Sequence, residues 1–275
     1  MWKRRLKTIL VNAELILMSL IVLIPVVWIV LSSLNEGQNL STSSFLPKTF
    51  TVDNYKRLLT ETQFVSWFVN SFNIALLNAF ISVTLILITA WILSRFKFKG
   101  KKTGMMTLLV LSMFPSFLSM TAVYTLFVVF GLLNKPLALV ILYAAGAIPY
   151  NVWLVKGYID GISTSLDEAA YIDGSSRMNT FIKIIIPMSK PIIVYCAVSQ
   201  FMMPWMDYII PNLLLTGDKT KTVAVGLYSM ISTDQNANFT VFAAGAVVIA
   251  VPITIMYLLF QKFLVQGIVA GASKE

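Results

Sequence analysis

Apolar residues run in long blocks along this chain, and polar residues collect in short stretches between them. The blocks fall at about residues 9–34, 65–94, 105–130, 137–158, 191–215 and 239–264. Each is close to the length of about 20 residues that an α-helix needs to cross a bilayer. Hydrocarbon offers no partner to a free backbone N–H or C=O, so spanning segments are helices or closed barrels, and blocks of this length select helices. The pattern predicts an all-α polytopic membrane protein with six transmembrane helices. Every block but the second contains a proline, namely Pro25, Pro115, Pro149, Pro204 and Pro252. Each proline frees a carbonyl that a neighbour or water must satisfy. Ordinary membrane-helix packing accounts for such residues, as does bending of spans around a moving pathway.

The organisation read from this pattern has three parts. Residues 1–64 hold a basic N-terminal segment, the first span and an outer connection. Residues 65–265 form a core of five helices, with a polar loop at 160–190, and residues 266–275 form a tail. The basic start followed by an apolar run has the outline of a signal peptide. The run is too long for that, and no small-x-small site closes it, so the first span is expected to be retained.

Composition agrees with a membrane protein. The chain is 57% hydrophobic and 12% charged, with a mean hydropathy of +0.80, whereas soluble domains carry about 25% charged residues. The net charge of +9 does not point to nucleic acid, because the lysines and arginines sit in short loops beside apolar runs. Six spans place both termini on one side, and that side carries 15 of the 21 basic residues. Positive charge marks the cytoplasm, so both termini and the loop at 160–190 are expected inside. Cys196 stands alone and histidine is absent, which leaves no disulfide framework, no metal site and no histidine-based catalysis to build. A GxxxxGK[ST] phosphate loop is also lacking, so a nucleotide is not cradled here by that mechanism.

The polar stretch at 165–187, SLDEAAYIDGSSRMNTFIKIIIP, organises the rest. Ser165 and Glu168 have capping-box spacing, and Asp167 and Glu168 put negative charge in a first helical turn. Gly174 supplies a left-handed residue to end that helix. Ser175 or Ser176 then caps a second helix that reaches Ile184, Ile185 and Ile186 and is cut at Pro187. Ala169 and Ala170 are small enough to admit a partner backbone.

This pattern resembles the cytoplasmic loop signature of ATP-binding-cassette (ABC) importer permeases: Glu-Ala-Ala, three residues, Gly, nine residues, Ile, any residue, Leu-Pro. Glu168, Ala169, Ala170, Gly174, Ile184 and Pro187 meet it, with Ile186 in place of Leu. Within the family the chain is most similar to the oligosaccharide branch, of the maltodextrin kind. The similarity is carried by Asn54 to Leu59, by Asn70-Ser71 and by the Arg95-Phe96-x-Phe98-x-Gly100 turn. Met113-Phe114-Pro115, Pro252-Ile253-Thr254 and the tail from Gly267 to Ala272 belong to it as well. Trp205-Met206-Asp207-Tyr208 is similar to the family's Trp-Asn-Asp-Phe segment near the translocation path, with Met206 in place of Asn.

The resemblance implies a type I importer permease fold with a cytoplasmic coupling helix, in the bacterial cell membrane. Its implied partners are a second, non-identical permease, two ATP-binding subunits and an extracytoplasmic sugar-binding protein. ATP and Mg would be held by the ATPase chains, leaving this chain without cofactor or catalysis. Ser165, Leu166, Asp167, Glu168, Ala169, Ala170, Ile172, Asp173, Gly174 and Pro187 would form the coupling element. Gly267, Ala270 and Gly271 would form a second contact to the ATPase.

Polar residues inside the spans are the other candidates. Asp207 is read as a carboxylate deep in the fifth span, roughly 12 Å from its outer end at 1.5 Å per residue. Intramembrane carboxylates usually face a cavity or a partner. Asn73, Asn151, Gln200, Trp205 and Tyr208 join it as pathway or partner-permease contacts, with Asn70, Asn78 and Ser199 as further hydrogen-bonding groups. Interhelical hydrogen bonding is the structural alternative for each. Tyr124, Tyr150 and Trp153 could stack on sugar faces or anchor at the bilayer edge. The alternative function is a stand-alone secondary carrier or channel, for which Asp207 would be the start of an ion site. With neither histidine nor an intramembrane lysine beside it, it makes a poor proton relay.

Overall fold

A computed structural model describes residues 2–37, 46–47, 49–232 and 238–272. Side chains at 2–4, 116–117 and 265–272 are outside that description. The described residues are helical throughout, apart from loops and one isolated bridge between Asn35 and Phe50. In order the helices are α1 (Trp2–Ser33), α2 (Asp53–Thr60), α3 (Phe64–Arg95), α4 (Lys101–Met113), α5 (Ser116–Val129), α6 (Pro136–Asp160) and α7 (Thr164–Ile172). There follow α8 (Arg177–Thr180), a π-helical turn (Phe181–Ile185), α9 (Ile186–Met188), α10 (Lys190–Met206), α11 (Ile209–Leu214), α12 (Val223–Ser229) and α13 (Phe239–Ala272).

Four helices are long and apolar enough to cross a membrane unaided: α1, α3, α6 and α13. The third and fifth expected spans are not straight helices. The third breaks at Pro115 into α4 and α5, bent by 102°. Proline has no N–H to continue the ladder and disfavours the helical conformation at the residue before it; Phe114 is accordingly extended, with ψ 129°. The fifth breaks at Asp207 between α10 and α11, and just ahead of its expected start the chain bends by 78° between α9 and α10, at Ser189. Six spans result when each bent pair counts as one.

The chain divides into two compact units. One gathers residues 1–65 with 226–252. Its polar centre is Asn54, 2% exposed. The Asn54 amide donates to the carbonyls of Ser33 and Asn35 at 3.0 and 2.8 Å, where α1 ends, and its Oδ1 accepts from Thr240 Oγ1 at 3.1 Å. Thr240 Oγ1 also lies 2.6 Å from the carbonyl of Gly37, and Ser33 bonds Tyr55 Oη at 2.6 Å. One side chain thus caps α1 and joins it to α2 and α13. The sequence motif there marked a resemblance and gave no hint of this knot.

The other unit holds residues 66–225 and 253–275 and is built around α6. Half of the most apolar window of α6 is buried, against 6% for α1, so α6 is a core helix and α1 presents its side chains outward. The lower part of α6, Val152, Val155 and Ile159, packs with Ile86, Trp91 and Leu93 of α3 and with Phe181, Ile185 and Ile192. Its upper part, Leu139, Val140 and Tyr143, packs with Ile74, Phe127 and Leu214. Pro136 opens α6 at a first-turn position where a missing N–H costs nothing. Between α11 and α12, the carbonyls of Asp218 and Lys219 accept from Trp67 and Asn70 at 2.6 and 2.7 Å, so Asn70 has a structural partner. Lys221 donates to Asp218 at 2.6 Å and holds that exposed carboxyl below the usual carboxylate range.

The expected tail is a continuation of α13, which stays helical to Ala272. The side chains of the expected tail contacts Gly267, Ala270 and Gly271 lie outside the described residues.

Replacing Asn54 with Leu leaves two buried carbonyls at the end of α1 without their donor. The expected loss is about 1–3 kcal/mol, read as a lowered thermal midpoint of the purified, detergent-solubilised protein. An unchanged midpoint would show that the Asn54 bonds contribute nothing net.

Candidate functional site

The stretch expected to carry function folds as a short helix, a tight turn and a second helix. The first helix begins earlier than the capping-box reading placed it. Ser163 is the N-cap, with extended backbone, and its Oγ accepts from the Ser165 N–H at 3.3 Å. Ser165 is therefore inside α7, with its hydroxyl 2.7 Å from that of Ser163, and Glu168 stands too far along to close a box. The Ser163 hydroxyl, two residues ahead of Ser165, takes the Ser165 N–H and so marks the helix start.

The end of α7 follows expectation. Gly174 has φ +81°, the left-handed region. Ser175 N–H reaches the Ala170 carbonyl at 2.8 Å and Gly174 N–H the Tyr171 carbonyl at 3.1 Å, the double closure of a Schellman motif. A Cβ at Gly174 would meet nothing within 4 Å, so the requirement for glycine is conformational. Of the two candidate serines, Ser176 caps α8, accepting from the Asn179 N–H at 3.3 Å. Pro187 does not cut the second helix. The π-helical turn ahead of it widens the ladder, Pro187 falls in the first turn of α9, and the chain bends just beyond it at Ser189. The wider ring gives the missing N–H a place where no bond is lost.

The faces of α7 differ in chemistry. Outward stand Leu166, Glu168, Ala169, Tyr171, Ile172 and Asp173, with Ile172 86% exposed. Inward stand Ala170 and Asp167. The two adjacent alanines are thus split between the faces, Ala169 open and Ala170 buried.

Asp167 meets a partner from the Arg95-Phe96-x-Phe98-x-Gly100 turn. Arg95 Nε at the end of α3 lies 2.9 Å from Asp167 Oδ2, and the two side chains are only 9% and 7% exposed. The approach is a charge contact rather than an aligned hydrogen bond, as neither Nε nor the carboxylate oxygens have a hydrogen-bond partner among the described residues. Arg95 Nη2 donates to the Ile162 carbonyl at 2.8 Å. Removing one member of a buried pair strands the other charge, at roughly 3–5 kcal/mol. Around this pair, Ser94 Oγ donates to Asp160 at 2.6 Å, and Lys156 donates to the same carboxylate at 2.6 Å. Lys101 Nζ reaches the carbonyls of Ser94 and Phe96 at 3.4 and 3.1 Å. Trp91 stacks on Phe181, with Phe96 edge-on to it and the Arg177 guanidinium over Phe96 at 5.0 Å. The basic turn after α3 is therefore a clamp on the loop. Nothing in the spacing of Arg95 and Asp167 along the chain signals it.

The span candidates fall in two groups. Asn151 and Gln200 line a cavity of about 420 Å³ among α5, α6, α10 and α11, together with Ser119, Tyr143, Tyr150 and Met203. Asn151 donates to the Ala147 carbonyl at 2.8 Å, and the backbone carbonyl of Gln200 accepts from Asn78 at 2.7 Å. Asp207 is not within a helix, contrary to expectation. It sits at the break between α10 and α11 with an extended backbone. Its Oδ2 accepts from Tyr143 Oη at 2.8 Å, and its Oδ1 accepts from the N–H groups of Ile209 and Ile210 at 3.0 and 3.4 Å. The carboxylate satisfies the amides that the break would otherwise strand. Trp205 is 5% exposed and packs edge-on to Phe68, Tyr208 begins α11, and Asn73 lies exposed on α3. None of these three lines the cavity. Tyr143, which sequence reading missed, does; hydroxyl-bearing aromatics in a span carry no local signal of which neighbour they meet.

Comparison with known proteins places these features. The chain is 37% identical over 260 residues to the galactooligosaccharides transport system permease protein GanQ of Bacillus subtilis, covering 94% of this chain and 92% of that one. It is 34% identical over 271 residues to the maltodextrin transport system permease protein MdxG of the same organism, covering 98% of both. A chain of a bacterial ABC transporter involved in the import of the acidic polysaccharide alginate superposes with a TM-score of 0.83 at 23% identity, over 94% of this chain and 96% of that one. The fold is thus that of an ABC importer permease. Residues 82–269, from the middle of α3 through most of α13 and including the whole α7 loop, match the family described as binding-protein-dependent transport system inner membrane component, and the chain belongs to that family.

Proposed function

We propose that this chain is the membrane-spanning permease subunit of an ATP-driven importer of sugars of the oligosaccharide class, fed by an extracytoplasmic binding protein. Support comes from family membership and from relatives named for galactooligosaccharide and maltodextrin transport that match nearly end to end. The observation that carries the mechanism is the outward face of α7. Ile172, Leu166 and Ala169 give an apolar surface edged by Glu168 and Asp173. A separate ATPase chain docks there, burying Ile172 and pairing its basic residues with Glu168, and its closure on ATP displaces the loop. Two such ATPase chains hold the ATP and Mg, and a second, non-identical permease completes the pathway. This chain performs no catalysis. By the excess of positive charge, the loop and both termini face the cytoplasm.

On the solute side, the cavity offers Tyr150, Asn151 and Gln200, an aromatic face beside hydrogen-bonding groups, as sugar surfaces require. A stand-alone carrier would need Asp207 free for an ion, and both of its oxygens are engaged by Tyr143 and the α11 amides.

Glu168→Lys reverses the charge at the docking face and is expected to abolish uptake while the complex still inserts in the membrane. Full uptake by an assembled variant would remove the docking role. Gly174→Pro forces φ to about −65° where the turn requires +81°, and it deletes the N–H donated to Tyr171. Loss of uptake is expected here too, measured in membrane vesicles. The purified chain alone is expected to hydrolyse no ATP; turnover without other subunits would refute the subunit assignment. A mild-detergent pull-down of the tagged chain, with mass spectrometry, should recover a nucleotide-binding subunit and a related permease. Recovery of the chain alone from membranes that transport the solute would favour a carrier.

A further inference from the structure

We infer that Arg95 is a positioning residue for transport: through its buried ion pair with Asp167 it makes the end of α3 the element that receives the displacement of α7. The inference rests on the reading of α7 as the ATPase-docking helix, and names the span and the side chain through which its motion enters the membrane.

The geometry carries it in three steps. The nine-residue α7 is joined to its neighbours by short connections on either side, 161–163 and 173–176. Its buried side offers one methyl group, on Ala170, and one charge, on Asp167. A single methyl holds a helix weakly against sliding or rocking. A charge contact at 2.9 Å between groups 9% and 7% exposed has no water to exchange with, so it resists separation in every direction.

The guanidinium, in turn, cannot follow α7 freely. Nη2 is fixed to the Ile162 carbonyl, in the connection that leads into α7. The neighbouring Ser94 holds Asp160 at the end of α6. The last turn of α3 thereby grips both flanks of the 161–163 connection as well as α7 itself. Movement of α7 must pull α3 with it or break the pair.

Further up, α3 reaches the cavity. Asn78, fully buried, donates to the Gln200 backbone carbonyl at 2.7 Å, and Gln200 lines the cavity wall. A rigid helix thus links the docking loop at one end to a cavity-lining residue about five turns away, at 3.6 residues per turn. Lying between two sites does not by itself demonstrate coupling, which makes the pair the place to cut.

The test uses the complete transporter, with its ATPase subunits, partner permease and binding protein, in proteoliposomes. Four forms are compared: Arg95→Gln, Arg95→Lys, Asp167→Asn, and the exchange of Arg95→Asp with Asp167→Arg. For Arg95→Gln and Asp167→Asn the ATPase subunits should still co-purify. Solute moved per ATP hydrolysed should fall roughly tenfold, a loss of the size that residues carrying coupling between sites produce. Arg95→Lys, which keeps the charge, and the exchange, which restores the pair, should each recover part of that ratio.

A ratio within roughly twofold of wild type in Arg95→Gln, a change too small for directly coupled residues, would overturn the inference. So would a fall of uptake and hydrolysis in equal proportion, the mark of a merely structural role. If the single variants do not assemble, an assembled exchange variant with no recovery of the ratio overturns it as well. Glu168→Lys is measured alongside. Full uptake by that variant would remove the docking reading itself, whatever Arg95 does.

Discussion

A backbone amide or carbonyl without a partner is tolerated in water and costs several kcal/mol in hydrocarbon. That constraint governs how this chain can stop being helical. Where α1 ends, the Asn54 amide takes the carbonyls of Ser33 and Asn35. Where α3 ends, Lys101 reaches two carbonyls from the next turn of chain. Where α10 breaks, the Asp207 carboxylate takes two amides of α11. Where α7 ends, the left-handed Gly174 lets the backbone close on itself. Three of these devices are polar side chains, and the fourth is a left-handed glycine. Many of the polar residues in this mostly apolar chain are therefore helix-end residues first.

A related constraint shapes the α7 loop. A short helix at the membrane surface has little apolar area with which to hold itself in place. Helix α7 solves this by facing two ways. Its outer face keeps bulky apolar side chains exposed, Ile172 above all, and that is the surface proposed to dock the ATPase. Its inner face relies on one ion pair, backed by the Asp160 and Lys156 contacts and by the Trp91–Phe181 stack. Buried ion pairs rarely add net stability over an apolar packing of the same volume. What this one supplies is direction, because a charge pair tolerates little displacement, whereas a methyl contact slides. The proposed docking role asks α7 to move as a unit while staying fixed to the bundle, and that kind of contact suits both demands.

Much of this is legible in the sequence. The positions of the spans, the loop and Gly174 follow from block length and from the φ requirement of a helix stop, which are local properties. The Glu168 to Pro187 spacing carries the family resemblance, and the comparisons bear it out. The departures share a cause. Ser165 has a cap's spacing to Glu168, yet the helix starts at Ser163, whose hydroxyl takes the Ser165 N–H. Asp207 has apolar flanks that suggest a helix interior, yet Pro204 and Pro211 flank a break that the carboxylate caps. Pro187 has the look of a stop, yet a π turn absorbs it.

By itself, the sequence determined the class of protein, the number and rough bounds of its apolar segments, and the loop that marks its family. Those depend on hydrophobicity and on residues a few positions apart, which a chain displays along its length. Only the tertiary structure decided which side chains meet. Between Arg95 and Asp167 lie the whole of α4, α5 and α6, and Tyr143 and Asp207 are 64 positions apart. The polarity of each is visible in the sequence, but its partner is not. In an apolar surrounding a charge or hydroxyl must find a partner wherever the packing of α3, α6 and α10 brings one, and that packing is a property of the whole bundle.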